Sequence, residues 1–289
     1  MAEQSPLPND APVKTSTKPH PTVVGIGASA GALSALKRFF DHVPPDSGFA
    51  FVVVVHLSPE HKSHLADLLQ LHVSFPVQQV ADTTPLEPNH VYVIPPNANI
   101  NTIDTHLRLS KLEEKRSQRA PIDHFFRTLA ETHDGHAIGV VLTGTGSDGT
   151  LGIKDIKAKG GLVVVQDPND AEYDGMPQSA IATGLPDLVL PLNQIPDAIM
   201  RFDRTEPRIP DAKEGEDPEQ AEPVLLQRVI AQVRARTDRD FSRYKRSTIL
   251  RRISRRMQLN YLEDLQTYLD RLRDQPDEVR ALADDFLIT

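Results

Sequence analysis

Short apolar runs alternate with amphipathic stretches along most of the chain. The runs are rich in Val, Ile and Leu on both faces, as is typical of strands inside a parallel sheet, and helical periodicity lies between them. The predicted strands are 23–26, 51–55, 91–94, 138–142, 162–165 and 187–191, with a short edge strand at 106–109. The predicted helices are 32–42, 62–72, 121–133, 151–159, 177–183 and 195–202. This alternation predicts an α/β fold, a Rossmann-like, doubly wound and mostly parallel sheet covered by helices on both faces.

Composition divides the chain into four segments. Residues 1–21 mix Pro, Lys, Thr and Asn without periodicity, which predicts a disordered leader. The α/β domain is predicted to span 22–203, and the acidic, Pro-rich segment 204–222 is typical of a solvated linker. Residues 223–289 are helical and basic, so we expect a small all-α C-terminal unit.

Composition also excludes several classes of function. The 289 residues contain no cysteine, which excludes disulfides, thiolate catalysis and cysteine-bound zinc. The longest apolar run, 49–55, is far shorter than the roughly 20 residues that a membrane helix needs. A net charge of -8 argues against binding of nucleic acid by the whole chain. We therefore expect a cytoplasmic protein with no nucleic-acid partner and no membrane insertion.

A glycine-flanked serine follows the first predicted strand. Gly27-Ala28-Ser29-Ala30-Gly31 reads Gly-x-Ser-x-Gly, the nucleophile-elbow pattern, in which small neighbours allow a tight turn that exposes the hydroxyl. A plain strand-to-helix turn is an alternative. A second alternative is a loosened dinucleotide-binding loop at 25–31, but the next strand ends in His56 and not in the acidic residue that would bind a ribose.

Three reactive side chains lie where predicted strands end: Ser29, His56 and Asp148. The carboxyl ends of parallel strands meet at one edge of a sheet, so we expect these side chains to lie close together. A serine hydroxyl becomes a nucleophile when a base accepts its proton and a third group orients that base. The sequence therefore predicts a catalytic triad. The plainer alternatives are a strand-end histidine without catalytic role and an aspartate that caps the helix at 151–159.

The loop before Asp148 contains candidate oxyanion donors. Gly144, Thr145 and Gly146 lie in a glycine-rich turn whose backbone N–H groups can face a developing negative charge. Met176 precedes a proline at a helix start, which indicates either ordinary helix initiation or a residue that lines the cleft.

Two further histidines, His61 and His64, raise the question of a metal site. Their spacing is not a helical i, i+4 pair and no carboxylate cluster accompanies them. We therefore predict no metal and no cofactor.

Five motifs lie within about residues 23–192: Gly27-Ala28-Ser29, Val54-Val55-His56-Leu57-Ser58-Pro59, Val91-Tyr92-Val93-Ile94-Pro95-Pro96, Leu142-Thr143-Gly144-Thr145-Gly146-Ser147-Asp148-Gly149 and Asp174-Gly175-Met176-Pro177. Together these motifs resemble the catalytic domain of CheB-type protein-glutamate methylesterases of chemotaxis. The resemblance implies hydrolysis of γ-glutamyl methyl esters on the methylated cytoplasmic domain of chemoreceptors. Ser29 would be the nucleophile, His56 the base and Asp148 the orienting group, and glutamine deamidation at the same receptor sites is a further implied activity.

The chain departs from the family pattern at two positions and in its regulation. The family usually has Thr and Met where this chain has Ala30 and Thr145, although the backbone N–H of Ala30 can still serve the oxyanion hole. The receiver domain that commonly precedes such an esterase is not found in this sequence. Its activity is therefore expected to be gated differently or not at all.

The C-terminal unit contains a basic helix within 241–260. Arg251, Arg252, Arg255 and Arg256 are predicted to share one face, opposite Ile249, Leu250, Ile253 and Met257. Phe241-Ser242-Arg243-Tyr244-Lys245 and Arg251-Arg252-Ile253 resemble the N-terminal helical domain of CheR-type receptor methyltransferases, which implies that the arginines dock an acidic receptor. A solvated face is the plainer alternative.

The sequence ends at Thr289, before residues that could form a methyl-donor fold, so methyl transfer is not expected from it. The overall prediction is a methylesterase with a helical receptor-docking unit. A catalytically silent receptor-binding adaptor is the alternative.

Overall fold

The computed structural model describes residues 21–56, 63–111, 120–209 and 224–288. Most of the predicted leader, the greater part of the predicted linker and His61 lie outside these residues. The described strands are β1 (Val23–Ala28), β2 (Ala50–Val55), β3 (Val77–Gln79), β4 (Thr83–Pro85), β5 (His90–Val93), β6 (Ala98–Ile103), β7 (His106–Lys111), β8 (Ala137–Val141), β9 (Leu162–Gln166) and β10 (Leu188–Leu190). The described helices are α1 (Ala32–Phe40), α2 (Leu65–Gln70), α3 (Pro121–His133), α4 (Gly152–Ala158), α5 (Gly175–Ala182), α6 (Ile195–Arg204), α7 (Val224–Thr237), α8 (Arg246–Leu259), α9 (Leu265–Asp274) and α10 (Pro276–Leu287).

A parallel sheet forms the centre of the α/β domain. Its strand order is β10-β9-β8-β1-β2-β5-β3, and every pairing within it is parallel. The chain builds outward from β1 through β2 and then returns to β8 on the other side of β1. This reversal makes β1 a topological switch point, where the carboxyl ends of adjacent strands open a crevice. The predicted doubly wound parallel sheet is confirmed.

A second, three-stranded sheet was not predicted. It is antiparallel with the order β4-β7-β6, so the segment predicted as an edge strand at 106–109 is its central strand. The strands of this sheet alternate buried and exposed side chains, and β4 is only three residues long. Such short alternating segments carry a weak sequence signal, which explains why periodicity missed them.

Two glycines in β1 allow α3 to lie directly against the sheet. A Cβ atom on Gly27 would lie 2.5 Å from Cγ2 of Ile122, and one on Gly25 would lie 2.8 Å from the ring of Phe125. These glycines therefore serve close packing between helix and strand. As a result, the N-terminus of α3 lies over the carboxyl edge of the sheet.

The four C-terminal helices enclose a hydrophobic core of their own. Leu226, Ile253, Leu269 and Phe286 lie in this core, which is separate from that of the α/β domain. No helix in the described part of the chain is both long and apolar enough to cross a bilayer.

Helix α8 packs its basic face against the α/β domain. Arg252 is 1% exposed and donates hydrogen bonds to the carbonyl oxygens of Lys157 (2.5 Å) and Ala158 (2.8 Å), at the end of α4, and to that of Ile288 (3.0 Å). The negative end of the α4 dipole favours a cation at this position. Burial and the charge of Arg255 lower the pKa of Arg252 to about 10, so its guanidinium remains charged at neutral pH.

Arg255 is the centre of a buried ion cluster between the two cores. Its guanidinium binds Asp187, Asp285 (2.6 Å) and the carbonyl of Gly161 (2.9 Å), while the ammonium of Lys157 lies 3.1 Å from Asp187. Burial alone raises the pKa of Asp187, but the charges of Arg255 and Lys157 outweigh it and lower that pKa. Because Asp187 precedes β10 and Asp285 lies in α10, the cluster ties the helical unit to the α/β domain.

The other two arginines are also engaged. Arg256 forms two hydrogen bonds with Glu278 inside the helical unit, and Arg251 packs over Gly160 with its guanidinium 3.7 Å from Asp134.

The prediction that Arg251, Arg252, Arg255 and Arg256 dock a receptor is therefore wrong for Arg252 and Arg255, which are buried against the α/β domain, while Arg251 and Arg256 keep partial exposure. Helical periodicity separates a basic face from an apolar one. It does not say whether the basic face meets water or, as here, the carboxylates and helix end of a neighbouring domain.

The ion cluster generates a prediction about stability. Arg255→Ala should lower the free energy of unfolding by about 3–5 kcal/mol, because two buried carboxylates lose a partner. The control is Arg239→Ala, whose pair with Asp284 is 50% and 71% exposed and should contribute no more than about 1 kcal/mol. Denaturant unfolding of the full chain measures both, and equal losses would contradict the assignment.

The lowered pKa of Asp187 predicts a dependence on pH. An ordinary aspartate has a pKa of about 3.9. The contribution of Asp187 is therefore complete above that pH and is lost as pH falls through the lower pKa of the folded state. Between neutral and strongly acidic pH, the midpoint of thermal unfolding should fall further for the wild type than for Asp187→Asn. Equal falls in the two proteins would contradict this interpretation.

Candidate active site

Ser29 lies in the turn between β1 and α1. Its backbone N–H donates to the carbonyl of Thr143 (3.0 Å), which follows the neighbouring strand β8. Gly31 has a φ of 76°, a left-handed conformation that favours glycine, and α1 begins at the next residue. The turn thus holds the partly exposed hydroxyl at the carboxyl edge of the sheet.

His56 connects Ser29 to Asp148. Its Nδ1 atom lies 3.3 Å from Oγ of Ser29, and its Nε2 atom lies 2.8 Å from Oδ2 of Asp148. An ionised carboxylate only accepts hydrogen bonds, so Asp148 favours the tautomer with the proton on Nε2. In that tautomer the lone pair of Nδ1 faces the serine hydroxyl. The structure therefore brings the three predicted side chains together in hydrogen-bonding order.

The carboxylate of Asp148 is held by the start of α3. Its side chain is 6% exposed, and it accepts hydrogen bonds from the backbone N–H groups of Ile122 (3.0 Å) and Asp123 (2.9 Å). A helix N-terminus is a favourable place for a negative charge. The carboxylate that accepts from the start of α4 belongs to Asp123, which bonds the N–H groups of Leu151 and Gly152. Asp148 is therefore not the cap of α4, which was its plainer alternative role.

Asp123 is a buried carboxylate beside the site. Burial is the main cause that raises the pKa of its side chain, and the charge of Asp148 acts in the same direction, while hydrogen bonds from the start of α4 oppose both. Two carboxylates thus share a region that solvent barely reaches.

The glycine-rich loop supplies some of the expected N–H donors. No described oxygen accepts a hydrogen bond from the N–H groups of Ala30 or Thr145, whereas the N–H of Gly144 donates to the carbonyl of Tyr173 (2.9 Å). Gly146 is exposed and has a φ of 89°. Ala30 and Thr145 thus remain candidate oxyanion donors, and Gly144 has a structural partner.

Met176 supports this loop from behind. Its side chain is fully buried and its backbone N–H donates to the carbonyl of Gly144 (2.8 Å). Of the two roles that the sequence left open for Met176, this burial favours ordinary helix initiation over lining the cleft.

Three supporting residues were missed by sequence reasoning. Asp123 is one, and the others are Thr143, whose hydroxyl donates toward the carbonyls of Ala30 and Tyr173, and Gln166, which accepts the N–H of Thr143 (2.9 Å). A proline at the start of α3 signals free N–H groups that need an acceptor, and could have pointed to the carboxylates. Gln166 carries no such signal, since it reads as an ordinary strand end.

Of the two histidines considered as metal ligands, His64 lies among the described residues and His61 lies outside them. His64 contacts Asp67 (3.3 Å), and no group of three His, Asp or Glu side chains that could hold a metal is found among the described residues.

The tight packing behind Ser29 generates a prediction. A Cβ atom on Gly144 would overlap the sulfur of Met176 and lie 2.9 Å from Cβ of Ser29. Gly144→Ala should therefore lower the free energy of unfolding by about 1–3 kcal/mol. Gly135→Ala is the control, since nothing lies within 4 Å of that position. Thermal or denaturant unfolding compares the two, and equal stability would refute the packing argument.

Comparison with known proteins relates this geometry to a family. The sequence profile of the CheB methylesterase family matches residues 24–199, and that of the all-alpha domain of CheR methyltransferases matches residues 225–287. Among solved structures, the CheB methylesterase catalytic domain of Thermotoga maritima aligns with a TM-score of 0.58 and 29% identity, over 62% of this chain and 97% of that one.

Curated relatives extend the comparison. A putative protein-glutamate methylesterase/protein-glutamine glutaminase of Leptospira interrogans is 35% identical over 62% of this chain and 93% of the relative. A protein-glutamate methylesterase/protein-glutamine glutaminase of Geobacter sulfurreducens is 36% identical over 62% of this chain and 51% of the relative. An uncharacterized 104.1 kDa protein of Rhodobacter capsulatus is 36% identical over 78% of this chain, which spans only 25% of that protein's length. The chain belongs to the CheB methylesterase family, and its esterase domain is followed by a CheR-type all-alpha domain.

Proposed function

We propose that this chain is a serine-dependent protein-glutamate methylesterase that acts on methylated chemoreceptors. The observation that carries the proposal is the hydrogen-bonded series from Ser29 through His56 to Asp148 at the switch point of the sheet. The names of the relatives support the same reaction. Since the methyl-accepting part of such receptors is cytoplasmic, the proposal places the chain in the cytoplasm.

The first half of the reaction uses all three side chains. Nδ1 of His56 accepts the hydroxyl proton as Oγ of Ser29 bonds to the ester carbonyl carbon. The imidazolium that forms is stabilised by Asp148, whose charge is maintained by two backbone N–H groups. Collapse of the tetrahedral intermediate breaks the bond to the methoxy oxygen, which takes the proton from His56 and leaves as methanol.

The second half returns the enzyme to its starting state. A water molecule gives a proton to His56 as its oxygen attacks the acyl carbon. The bond to Oγ of Ser29 then breaks, and His56 returns the proton to the serine. The sum is ester plus water giving a glutamate side chain and methanol.

Backbone donors stabilise the intermediate's negative oxygen in this scheme. The N–H of Ala30, directly after the nucleophile, and that of Thr145 have no acceptor among the described residues. Loss of one such donor typically costs about 10²–10³ in kcat. Because both groups belong to the main chain, the side chains found at these two positions leave the donors intact.

Deamidation of glutamine is a second candidate activity. The names of the Leptospira and Geobacter relatives include protein-glutamine glutaminase. The same acyl chemistry applies, with ammonia leaving in place of methanol.

The alternative is an adaptor that binds receptors without hydrolysis. The partly exposed serine, in contact with a histidine that is itself hydrogen-bonded to a buried carboxylate, favours the enzyme, since binding alone does not need that order of side chains.

Methanol release from methylated receptor fragment tests the proposal. Ser29→Ala should abolish turnover, and Asp148→Asn should lower it by about 10⁴ because His56 then adopts the wrong tautomer. Ser147→Ala is the matched control, since this exposed serine lies in the same loop and its side chain takes no part in the scheme. A wild type without turnover would favour the adaptor, and turnover in Ser29→Ala above a tenth of wild type would exclude Ser29 as the nucleophile.

A further inference from the structure

We propose that Asp123 is a positioning residue for the triad, which acts through Asp148 and not by contact with substrate. The inference rests on the proposed function for its kinetic consequences. Its structural part rests on the hydrogen bonds that connect the starts of α3 and α4.

Asp123 and Asp148 exchange contacts between two helices. Asp148, in the loop that leads to α4, accepts from the N–H groups of Ile122 and Asp123 at the start of α3. Asp123, in the first turn of α3, accepts with Oδ1 from the N–H groups of Leu151 (2.9 Å) and Gly152 (2.8 Å) at the start of α4. The carboxylate that accepts from the start of α4 therefore lies in α3, and the carboxylate that accepts from the start of α3 lies in the loop before α4.

These contacts close a ring around the orienting carboxylate. From Asp148 the ring passes to the start of α3, through the side chain of Asp123 to Leu151, and back along three residues of chain to Asp148. Oδ2 of Asp148 contacts both the backbone N–H of Ile122 and Nε2 of His56. The start of α3 therefore sets the orientation in which Asp148 contacts His56. Asp123 fixes that start relative to the loop.

The residues around Asp123 are closely packed. Asp123 is 6% exposed, and a Cβ atom on Gly152 would lie 3.0 Å from both Cα and the carbonyl oxygen of Asp123. Without the Asp123 carboxylate, the N–H groups at the start of α4 lose their acceptor in a region that water barely reaches. We expect the loop that carries Asp148 to shift so that these N–H groups reach another acceptor, and His56 would then lose its orientation.

The test compares three substitutions at one position. Asp123→Asn keeps an oxygen that can accept from Leu151 and Gly152, Asp123→Ser keeps a shorter acceptor, and Asp123→Ala keeps none. We expect kcat for a small methyl ester to fall in that order, by about 10²-fold for Ala, with KM little changed, because a misplacement of about 1 Å has that effect on a catalytic group. Because Ser and Ala are similar in volume, a higher kcat in Asp123→Ser than in Asp123→Ala separates the loss of the acceptor from the loss of volume.

A variant that is destabilised far from Ser29 controls for loss of stability. Arg255→Ala disrupts the buried ion cluster at the opposite edge of the sheet and should leave kcat per folded molecule unchanged. If Asp123→Ala does not fold, Asp123→Ser carries the comparison. A folded Asp123→Ser or Asp123→Ala protein with the kcat of Arg255→Ala would overturn the proposal.

Imidazole NMR gives a readout that needs no substrate. His56 in the wild type should show one tautomer with the proton on Nε2, and Asp123→Ala should show a mixture, while Asp123→Asn stays close to wild type. If these spectra are observed but the wild type shows no turnover, the positioning role is supported and the proposed function is rejected. An unchanged tautomer in Asp123→Ala would reject the positioning role, whatever the turnover of the wild type.

Discussion

The backbone N–H groups at a helix N-terminus need acceptors, and at the carboxyl edge of this sheet two buried aspartates supply them. The start of α3 meets Asp148 only because Gly25 and Gly27 let that helix lie directly on β1. Asp148 thereby accepts hydrogen bonds from two backbone N–H groups, and one of its oxygens also contacts His56. The close packing of α3 on β1 thus places the positive end of a helix dipole beside the carboxylate of Asp148.

The opposite edge of the sheet uses charge for a different purpose. There the carboxylates of Asp187 and Asp285 meet Arg255 and Lys157 in a buried cluster that joins two hydrophobic cores. A buried ion pair adds little to stability compared with apolar packing, but it tolerates the loss of a partner badly. The cluster links Asp187, which precedes β10, to Asp285 in α10, and Ser29 lies at the other edge of the sheet.

The parts of this molecule that follow from local pattern were predictable. Buried parallel strands are apolar throughout, and a side chain that follows such a strand must lie at the carboxyl edge, which is why Ser29, His56 and Asp148 could be placed together. The contacts of Asp123 and Gln166 were not predicted, because they are made mostly with backbone groups that only tertiary packing brings near. The arginines of α8 were assigned to the wrong surroundings for a related reason, since amphipathicity describes a face and not what covers it.

Helix α4 connects these two edges. Asp123 binds its first residue through the backbone N–H of Gly152, and Arg252 binds its last carbonyl groups at Lys157 and Ala158. The helix has seven residues and is therefore about 10 Å long, and side chains of other elements bind both of its ends. Two helical turns therefore separate the contacts between the domains from the loop that carries Asp148, and one short helix spans the distance between the two edges of the sheet.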